Sequence, residues 1–230
     1  RKDFIGNLAH ELKTPLFNIQ GFIMTLIEGG TDDPEIRDMF LRKAEKNIDR
    51  MTGLLEDLDS IYKIESGGMS LDPHPTNIVE LCRDIVDSLH KKADKSNITL
   101  SVSDQEEFTV ICDVNKIEQV LSNLLVNSIN YGNDGGHTRV KFFDMGEKVL
   151  IEVSDDGIGI KKKDLMRIYE RFYRVDKSRS RNAGGSGLGL AIVKHIIESH
   201  GQNIHVRSTY GQGTTFSFTL QKANQNVDNL

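Results

Sequence analysis

The pair His10 and Glu11 places an imidazole next to a carboxylate in the segment FIGNLAHELKTPL. Histidine suits nucleophilic and acid–base chemistry near neutral pH, and a neighbouring acid can raise the basicity of one ring nitrogen by holding the other. His10 stands two residues from Leu8 and from Leu12, so on a helix it lies about 200° from each apolar side chain. The spacing therefore predicts that His10 is exposed, on a face shared with Thr14, and excludes a core histidine.

The segment NLLVN carries Asn123 and Asn127 one helical turn apart, so both amides lie on one helix face. Side-chain oxygens in this arrangement suit a hard cation such as Mg²⁺, which prefers oxygen ligands together with a bound phosphate. Two asparagines also fit an ordinary solvated face. The pair alone leaves both interpretations open.

Glycine-containing segments offer places where a ligand could approach the backbone closely. In DDGIGI, Asp155 follows a predicted strand, and its carboxylate can accept a hydrogen bond from an adenine amino group; a simple turn is the alternative. In GGSGLGLAI, residues 184–192, glycines open an apolar helix whose free amides suit a phosphate; a flexible loop is the alternative. The latter segment is neither a Walker loop nor a dinucleotide fingerprint, because no Gly-Lys-Ser/Thr follows and no strand directly precedes it. GQGTTF, residues 211–216, is most simply a turn into the last strand.

The segment RIYERFYRVDKSRSRN is basic and aromatic, and it lies in a region, residues 161–181, with nine lysines and arginines against three acids. The whole chain has a formal net charge of -5, which does not suggest general nucleic-acid binding. A local anionic ligand or a solvated basic loop explains the excess. We predict a mobile lid over a polyphosphate, with Arg174 or Arg179 as a charge clamp.

Two amphipathic helices must position the histidine. Their apolar side chains recur at spacings of three and four, which approach a heptad seam in the second helix. The first stripe consists of Phe4, Leu8, Leu12, Leu16 (or Pro15), Ile19, Ile23 and Leu26, and the second of Ile36, Phe40, Ala44, Ile48, Met51, Leu55, Leu58 and Tyr62. An antiparallel hairpin follows, which either pairs with a second copy in a four-helix bundle or packs on the rest of its own chain. The long stripes favour the dimer.

The remainder of the chain has a mixed α/β pattern. Predicted helices cover 77–91, 114–131 (capped by Asp113) and 188–200, and predicted strands cover 98–103, 108–112, 138–143, 148–154, 203–208 and 214–220. The domain boundaries predicted from these patterns are a helical hairpin at 1–66, a linker at 67–76, an α/β domain at 77–221 and a polar tail at 222–230. Two cysteines suggest no disulfide framework, and no apolar run is long enough to span a membrane. Because the chain begins inside a helical pattern, a fragment of a longer protein is expected.

The order of the motifs is more specific than any one of them. The series HELKTPL, NLLVNSINY, DDGIGI, ERFYRVDKSRSR, GGSGLGLAI and GQGT closely resembles the catalytic core of bacterial two-component sensor histidine kinases, from residue 4 to about residue 220. The resemblance implies a dimeric four-helix bundle followed by an α/β sandwich with a mixed sheet and helices on one face. It also implies ATP-dependent histidine autophosphorylation, with ATP and Mg²⁺ bound, and transfer of phosphate to an aspartate of a response regulator.

The same resemblance assigns roles to individual positions. His10 matches the phosphoacceptor, Glu11 the acid that orients or deprotonates it, and Thr14 a residue linked to dephosphorylation of the partner. The positions matched to the nucleotide site are Asn123, Asn127, Asn130, Tyr131, Asp155, Gly157, Gly159, Ile160, Phe172, Tyr173, Arg174, Arg179, Gly185, Ser186, Gly187, Leu188, Gly189 and Thr214. Among these, Asn123 and Asn127 are implied to lie on the Mg²⁺ side, and Asp155 to recognise adenine.

The expected partners are a second copy of the chain and a receiver domain, with no nucleic acid and with membrane contact only through a sensor segment outside this chain. The expected location is cytoplasmic, as part of a protein anchored in the bacterial inner membrane. Two positions depart from the family pattern: Asn130 stands where lysine is frequent, and Asp156 where asparagine is common. The alternatives are a gyrase-type ATPase, which would need a glutamate at position 123, and a dimeric scaffold that only binds nucleotide.

Overall fold

The computed structural model describes residues 2–28, 33–66, 70–103, 107–175 and 186–223. The helices are α1 (Lys2–Ile27), α2 (Pro34–Glu65), α3 (Ile78–Lys95), α4 (Val114–Tyr131), α5 (Lys162–Leu165) and α6 (Gly189–Ser199). The strands are β1 (His74–Asn77), β2 (Thr99–Val102), β3 (Thr109–Cys112), β4 (His137–Asp144), β5 (Lys148–Asp155), β6 (Ile204–Thr209) and β7 (Gly213–Gln221). A helical hairpin therefore precedes an α/β domain, as predicted.

The hairpin buries only part of the apolar side chains that were predicted to form its seam. Ala44, a member of the predicted stripe, is 7% exposed, and the rings of Phe22 and Phe40 lie 5.7 Å apart across the two helices. Leu54, which was not predicted to lie in the seam, is 2% exposed, whereas the predicted Leu55 is 52% exposed. Pro15, the stated alternative to Leu16, is the buried one of the two. The predicted seam is therefore wrong at Ile48, Leu55 and Tyr62, which are exposed. The buried stripe passes through Leu54 and Ile61 instead, because the neighbouring surfaces, which the spacing does not record, decide which side of an amphipathic helix is covered.

A second apolar stripe stays exposed on α2. Leu41, Ile48, Leu55 and Tyr62 recur every seven residues and are 51%, 52%, 52% and 69% exposed. On α1, Leu16, Ile23 and Met24 are likewise about half exposed. Contiguous apolar surface of this kind marks an interaction site in a folded protein.

The α/β domain is built on a five-stranded sheet in the order β2-β4-β5-β7-β6. β2 pairs with β4 in parallel and the other pairs are antiparallel, so the predicted mixed sheet is confirmed. The alternation along β5 and β7 turns one set of side chains, including Ile151 and Phe218, into a core covered by α3, α4 and α6. The helices cover one face of the sheet, as the resemblance implied.

Side-chain caps set the start of two helices in this domain. Asn77 Oδ1 accepts hydrogen bonds from the amides of Val79 and Glu80, and Asp113 Oδ1 accepts one from the amide of Lys116. The prediction for α4, including its cap, is confirmed at both ends. The prediction for α3 ended at residue 91, whereas the helix continues to residue 95 through a run of lysines, alanine and aspartate that does not break a helix.

Two short elements were missed. Residues 74–77, placed in the predicted linker, form β1 in a separate two-stranded antiparallel sheet with β3, so the linker ends earlier than predicted. Pro75 lies on this outer strand, where a missing amide donor is tolerated, but its presence in the sequence suggested a loop. The four-residue α5 was also missed. At the other end, Lys222 forms a bridge with Val110, so pairing reaches beyond residue 221.

The C-terminal part of α2 packs directly on the α/β domain. Ile61 is 2% exposed and belongs to the same apolar core as α4 and α6. Gln119 Nε2 on α4 donates to Ser60 Oγ at 3.4 Å. The hairpin therefore contacts the rest of its own chain, which was the alternative to a dimer, while its second apolar stripe remains uncovered.

Cys82 and Cys112 are both buried and free, as expected from their spacing. None of the helices in the described ranges is both long and apolar enough to cross a membrane.

Candidate functional site

A cavity of about 430 Å³ lies where α4, the end of β5, the start of α6 and the face of α2 meet. Its size is in the range of small-molecule sites. The predicted ligand-binding residues that line it are Asn123, Asn127, Asn130, Tyr131, Asp155, Gly159, Ile160, Tyr173, Arg174, Ser186, Gly187, Gly189 and Thr214. The fold thus brings together residues up to 91 positions apart in sequence. Another depression, about 520 Å³, is lined by α2 alone and contains none of them.

The α4 wall presents its polar side chains on successive turns of one helix. Asn123, Asn127 and Asn130 are all partly exposed and face the cavity, because the opposite side of α4, including Leu121 and Leu125, is buried in the core. A Cβ placed on Gly189 would lie 3.0 Å from Oδ1 of Asn123. The missing side chain at residue 189 is therefore what allows the start of α6 to pack against this wall.

Asp155 ends β5 at the bottom of the cavity. Its Oδ1 accepts hydrogen bonds from the amides of Gly157, at 2.9 Å, and Thr214, at 3.2 Å. Within the described part of the chain no hydrogen bond engages Oδ2, so this oxygen is free to accept from a ligand amino group. Burial raises the pKa of Asp155 above its usual range, and the two amides partly offset this effect.

The turn after Asp155 depends on a glycine. Gly159 has φ +64°, and a Cβ there would collide with the carbonyl of Thr209. Ile160 continues the turn, and its amide donates to Ser208 Oγ at 2.8 Å. These contacts fix the loop after β5 against the turn between β6 and β7.

The segment before α6 is held by the aromatic residues of the predicted lid. The amide of Phe172 donates to the carbonyl of Gly187 at 2.9 Å, and Phe172 itself has φ +61°. Tyr173 Oη donates to Asp164 Oδ1 at 2.7 Å, a bond through which the buried carboxylate raises the pKa of Tyr173. The missed helix α5 therefore positions the lid residue Tyr173. The predicted site residues Arg179 and Gly185 lie outside the described ranges.

Two interdomain contacts close one side of the cavity. Ser186 Oγ donates to Asp57 Oδ2 on α2 at 2.6 Å, and burial raises the pKa of this carboxyl. Arg174 Nη1 lies 3.4 Å from Oε1 of Glu11, which also pairs with Arg50 at 3.0 Å. The arginine that was predicted to clamp a polyphosphate is therefore bonded to the acid beside His10 in this arrangement.

His10 is exposed on α1, as the helical spacing predicted, and it does not line the cavity. Thr14 is also exposed, and its Oγ1 donates back to the carbonyl of His10 at 3.3 Å. Glu11 is bonded to two arginines, Arg50 and Arg174. The structure thus assembles the predicted ligand-binding residues without bringing His10 among them.

Three predicted residues support the cavity without lining it. Gly157 packs against the carbonyl of Tyr131, Leu188 is fully buried, and Phe172 packs against the core. Several residues that line the cavity were not predicted from the sequence, namely Arg50, Asp57, Lys92, Ile158 and Tyr210. Arg50 and Asp57 stand seven residues apart on one face of α2, which is a signal that was available. Lys92 gave none, because a lysine near the end of an amphipathic helix fits a solvated face.

The oxygen atoms at the cavity wall are of the kind that Mg²⁺ prefers as ligands. Among the described residues no group of three or more histidines, cysteines, aspartates or glutamates could hold a metal ion. Asn123 and Asn127 offer two amide oxygens at the cavity wall, and such a set fits Mg²⁺ that takes its remaining ligands from phosphate and water.

The histidines at 195 and 200 lie outside the cavity, and His200 has a structural role. His200 Nε2 accepts from the amide of Asp113 at 3.1 Å, and its Nδ1 lies 2.8 Å from the carbonyl of Ile196, so it ties α6 to the cap of α4. His195 lies on α6, where burial lowers its pKa. Neither lines the cavity.

Known families match both parts of the chain. Residues 1–67 match the family model of the His Kinase A (phospho-acceptor) domain. Residues 112–224 match the model of the histidine kinase-, DNA gyrase B-, and HSP90-like ATPase. The two matches correspond to the hairpin and to most of the α/β domain.

Curated relatives extend over nearly the whole chain. The sensor histidine kinase WalK of Bacillus subtilis is 35% identical over 231 residues, which cover 99% of this chain and 38% of the relative. The phosphate regulon sensor protein PhoR of Pseudomonas aeruginosa is 34% identical over 217 residues, which cover 94% of this chain and 49% of the relative. The chain thus spans less than half the length of these two proteins.

Solved structures share the fold. In the crystal structure of histidine kinase ThkA in complex with response regulator protein TrrA, the matching chain is 26% identical to this one, with a TM-score of 0.74. The match covers 97% of this chain and 62% of the other. The arrangement of hairpin and α/β domain therefore occurs in an experimentally determined relative.

Proposed function

Because the chain belongs to the sensor histidine kinase family, we propose that it transfers the γ-phosphoryl group of ATP to His10 and then to an aspartate of a response-regulator receiver domain. The observation that carries this proposal is the cavity in which Asp155, the α4 asparagines and the start of α6 converge. The same chain carries an exposed histidine on the hairpin. One polypeptide thus carries both the proposed nucleotide-binding site and the phosphoacceptor histidine.

Different residues of the cavity are assigned to different parts of the bound nucleotide. Asp155 accepts a hydrogen bond from the adenine amino group through its free Oδ2. Gly187 and Gly189 line the cavity at the start of α6, where the helix dipole favours the negative charge of the phosphates. Asn123 and Asn127 hold Mg²⁺, which neutralises charge on the phosphates when it is bound.

The chemical step takes place at the imidazole of His10. A neutral ring nitrogen forms a bond to the γ-phosphorus while the bond to the bridging oxygen of ADP breaks, and the proton of the other ring nitrogen moves towards Glu11. In this structure Glu11 forms ion pairs with Arg50 and Arg174. Before it can serve the imidazole, at least one of these contacts has to open.

Because His10 does not line the cavity, the α/β domain has to move relative to the hairpin that presents the reacting histidine. Such a motion breaks the contacts of Ser186 with Asp57 and of Arg174 with Glu11. The guanidinium of Arg174 then exchanges its contact with Glu11 for the phosphates, and Arg179 is proposed to join it. Domain movement of this kind is common in enzymes that assemble their site on closure.

The exposed apolar stripe on α2 is the surface through which two hairpins form a four-helix bundle. The receiver domain approaches the exposed face of α1 that carries His10 and Thr14, and Thr14 takes part in dephosphorylating that partner. The two relatives are longer than this chain, which covers 38% and 49% of them. From the resemblance of its motifs to sensor kinases, the chain is proposed to be the cytoplasmic core of a protein anchored in the bacterial inner membrane. The phosphoacceptor hairpin at 1–66 and the ATP-binding domain, which begins with β1 at residue 74, are proposed as the two units of this core.

The decisive experiment is incubation with labelled ATP and Mg²⁺, followed by a stability test of any protein-bound label. We expect label that is acid-labile and alkali-stable, that disappears in His10→Gln and that persists in His205→Gln, which changes an exposed histidine of β6. Free phosphate without labelled protein would indicate an ATPase. Nucleotide binding without either product would indicate a scaffold, and both outcomes contradict the proposal.

A further inference from the structure

Lys92 lies near the end of α3 and lines the cavity beside the α4 wall. Its neighbour Ala93 is buried in a small apolar cluster with Ile129. This contact brings the end of α3 alongside the end of α4, where Asn127 and Asn130 face the same cavity. Lys92 is thus a part of the cavity that none of the sequence motifs contains.

The charges around the cavity single out this lysine. The described lining residues include three cations, Arg50, Lys92 and Arg174. Arg50 and Arg174 both pair with the carboxylate of Glu11, so each of these two cations already has an anionic partner within the protein. No hydrogen bond or ion pair of Lys92 occurs within the described part of the chain. The ammonium of Lys92 is therefore the cation on this wall that is available to an anion.

The surroundings of Lys92 favour such a partner. Its side chain is exposed towards the cavity, yet the protein around it removes part of its hydration, and this burial lowers its pKa. A bound anion would replace the part of the hydration that the protein removes from this ammonium and would favour its charged form. Asn130, on the adjoining turn of α4, has an uncharged amide and cannot play this part.

We propose that the ammonium group of Lys92 binds the phosphate chain of the nucleotide and supplies from α3 the positive charge that the α4 wall lacks. The inference rests on the proposed nucleotide site. It differs from that proposal because it assigns phosphate recognition to a third helix, outside the loop and asparagine motifs. A charge-assisted bond of this kind is among the stronger hydrogen bonds in proteins.

The test compares Lys92→Ala with Lys91→Ala, which removes the adjacent exposed lysine that does not line the cavity. Dissociation constants for ATP, ADP and adenosine are measured by calorimetry at one ionic strength. We expect Lys92→Ala to weaken ATP and ADP by about tenfold or more, because a charge-assisted bond is lost, and to leave adenosine unchanged. Lys91→Ala should bind all three ligands like the unaltered protein.

A compensating variant tests the location of the charge. Adding Asn130→Lys to Lys92→Ala places an ammonium on the neighbouring turn, and we expect it to recover most of the lost ATP affinity. Thermal unfolding of each variant shows whether the α/β domain has remained folded. Recovery by Asn130→Lys would itself demonstrate a folded site.

Three results would overturn the inference. Unchanged ATP affinity in Lys92→Ala would show that the lysine does not touch the phosphates. An equal loss for adenosine would show that it acts on the site as a whole. An equally large loss of ATP affinity in Lys91→Ala would show that the effect comes from general surface charge.

The proposed kinase activity can fail separately. If ATP binds and Lys92→Ala weakens it selectively, but no labelled histidine forms, the inference stands and the kinase proposal falls. If the unaltered protein does not bind ATP, both fall.

Discussion

The carboxylate of Asp155 has one oxygen held by two backbone amides and one that is open to the cavity. In Asp155→Asn, the amide oxygen can keep both backbone bonds, but an NH₂ group replaces the acceptor that faces adenine. We expect the free energy of ATP binding to weaken by about 1.5–3 kcal/mol, which is about 10–150-fold in affinity, because a hydrogen bond to a charged acceptor is lost. Calorimetric titration with ATP measures this. Adenosine should lose as much affinity as ATP, in contrast to the Lys92 variant.

The same substitution affects stability in a pH-dependent way. A raised pKa means that the folded protein holds the proton of Asp155 more tightly than the unfolded chain does. The contribution of Asp155 to stability is therefore most favourable in acid and is lost as the pH rises through the folded-state pKa. Asp155→Asn removes that loss, so the variant should be at least as stable as the unaltered protein at pH 7. Its advantage should disappear below the unfolded pKa of about 3.9. A lower stability of the variant at pH 7, measured by urea unfolding, would contradict this account.

The loop after β5 depends on Gly159 for both its conformation and its close packing. Gly159→Ala would place a side chain at φ +64° and force it into the carbonyl of Thr209. Gly146, in the turn between β4 and β5, has a similar φ of +80°, but a Cβ added there would have no atom within 4 Å. It therefore provides a matched control. We expect Gly146→Ala to cost about 1–2 kcal/mol of unfolding free energy from backbone strain alone. Gly159→Ala should cost about 1–3 kcal/mol more, because the collision is added.

Urea unfolding of the two variants checks the difference, and ATP binding gives a second measurement. Only Gly159→Ala should weaken ATP, since Gly159 lines the cavity and Gly146 does not. Equal destabilisation by both variants would show that the loop can move away from Thr209 without cost.

The two domains are held together by contacts that include a buried carboxylate. Ser186 donates the hydrogen bond that compensates Asp57, whose pKa burial raises. Ser186→Ala leaves that carboxylate buried without its donor, at a cost of about 1–3 kcal/mol. We expect amide exchange in residues 54–61 of α2 to become roughly tenfold faster in the absence of nucleotide, as measured by mass spectrometry. Asp59→Ala, which removes an exposed carboxylate paired with Lys63, should leave exchange in the contact region unchanged.

The companion variant Asp57→Asn should have the opposite effect. Its amide oxygen can still accept from Ser186, while the cost of burying a charge is removed, so exchange should be unchanged or slower. For the unaltered protein the raised pKa of Asp57 means that docking becomes tighter as the pH falls towards that pKa. Faster exchange in Asp57→Asn would contradict this balance of burial against hydrogen bonding.

Individual residues show how far sequence analysis reached. Asp113 and the helix from residue 114 to 131 were predicted in full, because a cap and an apolar period are local signals. Asp155 and the glycines around it were found because turns at strand ends leave a recognisable composition. β1 was missed because Pro75 suggested a loop, and α5 because four residues carry too little periodicity. Lys92 and Asp57 were missed because their importance comes from what they face across the cavity, which no local pattern records.

The sequence by itself determined the longer elements, their order and the chemistry of the motifs, since these follow from helix and strand periods, caps and turn residues. Only the tertiary structure decided which apolar stripe of the hairpin is buried, because that depends on which surfaces meet. It also decided that Glu11 pairs with Arg50 and Arg174, and that His10 stands outside the cavity. Such contacts join residues distant in sequence, and their partners are fixed by packing of the whole chain.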